Sequence, residues 1–333
     1  MGVAQCRCSA QTTACRILDC ARAARVRSRL RCPIVNEPVE SPAPVPITEL
    51  ALRVADRFRA SGASGSRIAL ESREEIVEDG GVSFVVRVLA AWVRAAAAAA
   101  KASAPAGGAA GAPPPARSPF LPPYDPDLLI GAISPTHVCL LNKYNIVDRH
   151  LLIVTREYEE QESALAPGDL AAARSCLDAI DGVAFYNGGA AAGASQSHKH
   201  LQLVPFPLGP RGDRFPLDRA VAAALAEGRD RVPVLAARQR LAPLASRGDA
   251  HDVYRKLLES LDLDSGGGRT EPYNLLMTRE WMLIVPRSKA AEGTIEVNAL
   301  GLAGTLVVRG EEDLAVLRAM GPLELLRRVG VDG

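Results

Sequence analysis

The sequence predicts an α+β fold built on an antiparallel sheet with flanking helices, and three observations carry that prediction. HVCLLN (137–142) and HLLIVTR (150–156) are apolar runs separated only by KYNIVDR, close enough in sequence to pair as neighbouring strands. YNLLMT and WMLIVPRS lie on either side of Arg279 and Glu280, the spacing of a tight hairpin. Nowhere do strand-like runs alternate with helices as βαβ units do, so a doubly wound parallel sheet is not expected.

In chain order, the first segment is residues 1–45. Five of the seven cysteines (Cys6, Cys8, Cys15, Cys20, Cys32) fall there among seven arginines, and Asp19 is the only acid before Glu37. An Arg-rich, acid-poor stretch containing Ser and Thr is patterned like an organelle transit segment rather than a secretory signal, which needs an apolar run. An unstructured tail or a misassigned start fits the same residues, so the expected location is the cytoplasm, or a plastid or mitochondrion if the segment is a targeting one. Pro46 then precedes Leu50, Val54 and Phe58 at helical spacing, which predicts a helix opening the folded part. VSFVVRVL (82–89) is β-branched and aromatic enough for a strand. Residues 95–116 (AAAAAAKASAPAGGAAGAPPPA) offer no side chains that could form a core and are expected to be a disordered surface insert. PGDLAAARSCLDAI (167–180) begins with a proline and an acidic first turn, the start of a helix. VAFYN and HLQLVPF are expected as strands flanking a glycine-rich loop, and a charged, Pro-rich connection follows them. HDVYRKLLESL (251–261) reads as a helix and SGGGR as a loop. EEDLAVLRAMG and PLELLRRVG close the chain as helices. The expected organisation is a segment 1–45, a core 46–210 carrying the insert, and a C-terminal region 211–333.

The chain has 333 residues, 48% of them hydrophobic, enough to bury a sizeable core. Its formal net charge of +1 argues against a nucleic-acid partner held by bulk charge, so any anion must be met by local groups. No run of eighteen apolar residues exists to span a membrane as a helix.

The most informative stretch is NGGAAAGASQSHKHLQLVPFP (187–207). From Lys199 onward it alternates as a strand, placing His198, His200 and Gln202 on one face and Lys199, Leu201 and Leu203 on the other. Gly188, Gly189 and Gly193 let the backbone approach a ligand, and successive N–H groups in such loops make anion-binding concavities. A phosphate beside a histidine is the natural reading, although spacing alone leaves an ordinary strand histidine equally open. H-x-H could be half of a zinc site, but Cys139 and Cys176 are the only cysteines in the body of the chain and no CxxC accompanies them, so no metal is expected.

These residues resemble a known family. From about Ile47 to the end, the chain is similar to ATP adenylyltransferase, also called diadenosine tetraphosphate phosphorylase, in the histidine triad superfamily close to the galactose-1-phosphate uridylyltransferases. The resemblance rests on PFLPPYDPDLLIG (119–131), HVCLLNKYNIVDRHLLIVTREYEEQ (137–161), YNGG with GASQSHKHLQLVPFP, and YNLLMTREWMLIVPRS followed by VNALGLAGTLVV. It implies a histidine-triad-like antiparallel sheet elaborated by a C-terminal strand-and-helix extension. It also implies that the enzyme phosphorolyses diadenosine tetraphosphate to ATP and ADP through a nucleotidyl-histidine. Carried over residue by residue, His200 would be the nucleophile, His198 would orient and polarise it, and Gln202 would hold phosphoryl oxygens. Asn187, Gly193, Ala194, Ser195 and Gln196 would hold phosphates, while Asn142 and Lys143 would meet the nucleotide. Met277, Thr278 and Arg287 are further substrate-binding candidates, and a phosphate-contacting lysine falls at either Lys101 or Arg94. The implied substrates are diadenosine polyphosphates, ATP, ADP and inorganic phosphate, with Mg2+ able to accompany the nucleotide and no other cofactor. A monomer is expected. A sugar-phosphate nucleotidyltransferase or a non-catalytic nucleotide-binding protein is the alternative reading.

Overall fold

In the computed structural model, residues 42–90, 118–245 and 250–333 are described. The Arg- and Cys-rich stretch to residue 41, the insert 95–116, and both Arg94 and Lys101 lie outside them. Residues Glu40–Gly333 form one unit. Its main strands are β1 (Ser72–Asp79), β2 (Val82–Leu89), β3 (Leu129–Ala132), β4 (His137–Leu141), β5 (Leu151–Thr155), β6 (Gly182–Gly188), β7 (His200–Pro205), β8 (Arg240–Pro243), β9 (Tyr273–Met277), β10 (Trp281–Pro286) and β11 (Thr305–Val308).

Eight of these make one antiparallel sheet in the order β8-β10-β9-β6-β7-β5-β4-β3. Strands β4, β5, β6, β9 and β10 are buried along their whole length. Burial on both faces explains why their sequences read as continuous apolar runs rather than alternating ones. One face packs under the helices Ile47–Ser64, Pro167–Ala179 and Ala250–Ser260, whose Leu50, Leu170, Leu177 and Tyr254 join Ala184, Tyr186, Leu201 and Leu203 in one cluster. The helix at Ile47 ends where Gly65 turns left-handed, and the helix at Pro167 starts where the Asp169 carboxylate accepts the Ala166 N–H at 2.7 Å. Toward the C-terminal half of the sheet, the opposite face supplies Val183, Phe185 and Val204 to a second core. That core is completed by a smaller sheet, β11-β2-β1, and the helices Glu311–Met320 and Pro322–Val329.

The expected α+β fold and antiparallel sheet are present, and the regions 46–210 and 211–333 share the eight-stranded sheet: β8, β9 and β10 come from the latter. The smaller sheet goes beyond the sequence reading. β1 is a charged strand joined to β2 by Gly80 and Gly81, both at positive φ as a tight hairpin turn requires. β11 pairs parallel with β2, Thr305 opposite Val85. Within the charged connection the chain forms a helix, Asp218–Ala226, and the strand β8, and SGGGR closes a short hairpin between Asp264–Gly266 and Arg269–Thr270. Among the described residues no helix is long and apolar enough to cross a membrane, and no group of three or more His, Cys, Asp or Glu is placed to hold a metal ion.

Candidate active site

The strand β7 presents His200 and Gln202 on the face away from the three helices, because Leu201 and Leu203 are committed to the cluster beneath them. His200 is fixed at three points. Its N–H donates to Gln161 Oε1 at 2.8 Å, its carbonyl accepts from Gln161 Nε2 at 3.3 Å, and its ring Nδ1–H donates to the His198 carbonyl at 2.8 Å. The lone pair is thereby placed on Nε2, where among the described residues no hydrogen bond ends. The Phe120 ring lies 5.0 Å from the His200 ring and leaves it 3% exposed. Burial pulls its pKa down to about 4, so at neutral pH the ring is an uncharged base.

His198 orients His200 through its main-chain carbonyl, not its ring. The imidazole is tied elsewhere, with Nε2 donating to the carbonyls of Thr155 (2.9 Å) and Glu157 (3.1 Å) and Nδ1 accepting from Ser118 Oγ at 2.8 Å. Burial lowers its pKa as well. The ring polarisation expected of His198 therefore has no direct contact to act through.

Gln202 stands at the wall of a cavity of about 920 Å³. Its Oε1 accepts from His150 Nε2 at 2.9 Å, His150 Nδ1 accepts from Asn142 Nδ2 at 3.2 Å, and Asn142 Oδ1 accepts the Tyr144 N–H at 3.1 Å. Only one arrangement satisfies this chain: His150 neutral with its proton on Nε2. Burial, helped by the neighbouring His200, takes the His150 pKa to about 4 and agrees with it. The relay consumes the Gln202 oxygen and leaves its amide nitrogen to donate into the cavity.

The opposite wall is the glycine-rich loop. Gly189 and Gly193 both take positive φ, and between them residues 190–192 make one tight turn. Gly193, Ala194 and Ser195 line the cavity, and among the described residues no hydrogen bond occupies the main-chain N–H of Ser195 or Gln196. Asn187, also in the lining, gives its Oδ1 to Asn274 Nδ2 and to the Ala299 N–H, both at 2.9 Å, so only its amide nitrogen is left for a ligand.

Other carried-over residues lie elsewhere. Lys143 is on the exposed surface, its ammonium 6.0 Å from the Tyr144 ring, and does not line the cavity; Gln196 likewise is exposed beyond it. Met277 is a core residue opposite Ala184, and Thr278 starts the β9–β10 turn, bonding Glu280 at 2.7 Å. Both belong to the end of β9 remote from Asn274, which is the end that meets Asn187. Arg287 is buried behind the wall rather than in it. In their place the C-terminal region contributes Asn298, Leu300, Thr305 and Arg309 to the lining. Among the described residues the buried Thr305 hydroxyl has no partner, and Arg309 reaches Glu296 at 2.8 Å. Tyr144, 56% exposed, with Ile146, Val147 and Leu89, gives the cavity an apolar side suited to a planar base.

Comparison with known proteins points the same way. Residues 42–223 match the Ap4A phosphorylase N-terminal domain and residues 230–332 the ATP adenylyltransferase C-terminal domain. The chain is 30% identical over 216 residues to Protein APA1 of Saccharomyces cerevisiae, covering 55% of this chain and 64% of that one. It is 31% identical over 212 residues to diadenosine 5',5'''-P1,P4-tetraphosphate phosphorylase 2 of the same yeast, covering 53% and 63%. These matches thus span under two thirds of either relative. The fold is similar to yeast Ap4A phosphorylase Apa2 solved with AMP (TM-score 0.68) and with Ap4A (TM-score 0.66), each 23% identical and covering 85% of this chain and 97% of that one. With over half its length matched by the N-terminal family domain and residues 230–332 by the C-terminal one, the chain belongs to the Ap4A phosphorylase (ATP adenylyltransferase) family.

Proposed function

We propose that this protein is a nucleotidyltransferase that phosphorolyses diadenosine tetraphosphate to ATP and ADP, with His200 carrying the adenylyl group between the two half-reactions. The observation that carries this reading is the Nδ1–H of His200 on the His198 carbonyl, which leaves a neutral Nε2 lone pair two residues along the strand from Gln202, a residue of the cavity lining. Yeast Apa2, which shares the fold, is described in complex with AMP and with Ap4A, and that supports the same ligand class here.

In the first half-reaction Nε2 attacks the α-phosphorus in line, the bond to the bridging oxygen breaks, and ATP leaves with that oxygen. The ring becomes cationic, and its Nδ1–H on the His198 carbonyl then stabilises more charge than in the free enzyme. The Gln202 amide, the Ser195 hydroxyl and the loop N–H groups are preorganised donors for the phosphoryl oxygens, where charge develops. In the second half-reaction inorganic phosphate attacks the same phosphorus and His200 departs as the neutral ring, giving ADP. Holding the intermediate on the protein lets one small acceptor site serve both displacements. Mg2+, if it accompanies the substrate, is held by the phosphates, since Glu296 is the only carboxylate in the described lining.

Incubating the protein with diadenosine tetraphosphate, with and without phosphate, tests this directly. With phosphate, ATP and ADP are expected in equal amounts. Without it, a burst of ATP limited to one per chain is expected, with the intact protein gaining one adenylyl group by mass spectrometry. His200→Ala should abolish burst and adduct together. Steady turnover without any adduct, or near wild-type activity in His200→Ala, would rule out the covalent route.

A further inference from the structure

Arg287 follows directly on β10 and is 3% exposed. All five of its N–H donors are spent inside the protein. Nε donates to the Val329 carbonyl at 3.0 Å, Nη1 to Asn274 Oδ1 and to the Ala192 carbonyl at 3.5 Å, and Nη2 to the carbonyls of Lys289 (2.8 Å) and Val297 (2.9 Å). None of these acceptors is a carboxylate, and among the described residues no acid pairs with it. Burial lowers its pKa to about 10, with no neighbouring charge offsetting the effect, so at neutral pH it is still a cation.

A buried cation without a counter-charge is expensive, and bridging carbonyls does not require one. The same fold does that job elsewhere with a neutral side chain: buried Gln239 joins the main chain of Val232 and Leu235 through its amide. What distinguishes Arg287 is where its charge sits. Its partners Val297 and, through Asn274, Asn187 are cavity lining, and Ala192 immediately precedes the lining residue Gly193. The charge is therefore one layer of hydrogen bonds behind the wall that the phosphates would occupy.

We propose that Arg287 is the resident counter-charge for the polyphosphate: the acid that the fold leaves out is supplied by the ligand, and this buried cation makes the cavity select anionic nucleotides over neutral nucleosides. The proposal rests on the nucleotide reading above. Arg287 is a positioning and specificity residue, not a catalytic one, because it does not touch the cavity. For unit charges on the order of 8 Å apart at an effective dielectric constant near 20, the attraction corresponds to roughly 30-fold in affinity.

The test measures binding of AMP and of adenosine to the full chain by calorimetry in phosphate-free buffer, for wild type, Arg287→Gln and Arg287→Lys. The wild type should prefer AMP. Arg287→Gln should lose roughly 30-fold in AMP affinity while adenosine affinity changes by less than about threefold. Arg287→Lys, which keeps the charge but not the fork of donors, should retain most of the preference. Equal losses for both ligands in Arg287→Gln would mark Arg287 as a plain structural brace and overturn the proposal. If Arg287→Gln fails to fold, by circular dichroism, Arg287→Lys decides alone: a preserved AMP preference supports the proposal and a lost one refutes it. A wild type that binds both ligands equally refutes this inference and spares the nucleotide reading, whereas one that binds neither removes both.

Discussion

Two buried histidines, His150 of the relay and His200 beside it, make stability depend on pH in a window set by their environment. His150 and His200 each have a folded pKa of about 4, lowered chiefly by burial, against an ordinary value near 6.5 in the unfolded chain. Above pH 6.5 neither state is charged and the groups contribute nothing to the pH dependence. Between pH 6.5 and about 4 the unfolded chain binds the protons that the folded one refuses, so stability falls as pH falls. At about pH 4.5 the imbalance costs about 2.5 kcal/mol per histidine, and two of them would remove about 5 kcal/mol from a typical reserve of about 5 to 15. Asp169 acts in a different range. Burial raises its pKa, but His137, Lys199 and the Ala166 N–H together bring it below the ordinary carboxylate value, so its stabilisation is lost mainly below pH 4. Chemical denaturation at about pH 7 and pH 4.5 therefore brackets the range in which the two histidines act, above the range of Asp169. In His150→Gln the stability difference between the two pH values should shrink by about 2.5 kcal/mol relative to wild type. Whatever hydrogen bonds the variant loses, it loses at both pH values, so that cost cancels. An undiminished pH difference in the variant would mean that His150 is not held neutral, and the tautomer assigned to the relay would fall with it.

Three further outcomes follow from other parts of the structure. Gln202→Ala should lower kcat by an amount equivalent to about 2 to 4 kcal/mol of transition-state stabilisation, with little change in KM; a raised KM at constant kcat would assign Gln202 to uniform binding instead. Gly193→Ala would place a Cβ 2.8 Å from the Val297 carbonyl at a φ of +87°. It should cost roughly 1 to 3 kcal/mol in denaturation and loosen the loop from the 297–298 segment, and wild-type stability would contradict the tight contact. Lys199, buried between the two histidines, turns to the helix side and meets Glu159 at 2.6 Å and Asp169 at 3.3 Å. Lys199→Met should destabilise by about 3 to 5 kcal/mol by taking the ammonium from the buried Asp169 carboxylate, which then keeps only the hydrogen bonds from His137 and the Ala166 N–H, a loss that adding Asp169→Asn should partly recover; no recovery in the double variant would sink the ion-pair account.

What was legible in the sequence is what local chemistry decides. The helices at Ile47 and Pro167 announce themselves by proline and apolar spacing, and the β9–β10 hairpin by two apolar runs meeting at Arg279 and Glu280. The strand Ser72–Asp79 was not legible because its apolar residues, Ile76 and Val77, are adjacent rather than alternating, and its existence depends on Val82–Leu89 beside it. The pairing of Thr305–Val308 with that same strand joins residues more than two hundred positions apart, which no local pattern can announce. The site divides along the same line. His198, His200, Gln202 and the loop before them are one continuous stretch, so their spacing could be read directly. His150 was within reach: it heads the run HLLIVTR on the face of Leu152 and Val154, and Leu152 lies opposite Gln202, so strand alternation and register together aim it at that side chain. Asn298 and Thr305 lie inside VNALGLAGTLVV, a stretch already part of the family resemblance, and Arg309 follows it directly, while Met277 and Thr278 come from the hairpin before it. The error has a geometric cause. β9 meets the lining residue Asn187 at Asn274 and leaves it within a few residues, so moving three residues along the strand carries a side chain from behind the cavity wall into the hydrophobic core. Arg287 is the residue for which sequence and structure had to be combined: the resemblance brought it to the ligand, the structure moved it one layer back, and its unpaired charge gives that position a physical purpose that direct contact would not have required.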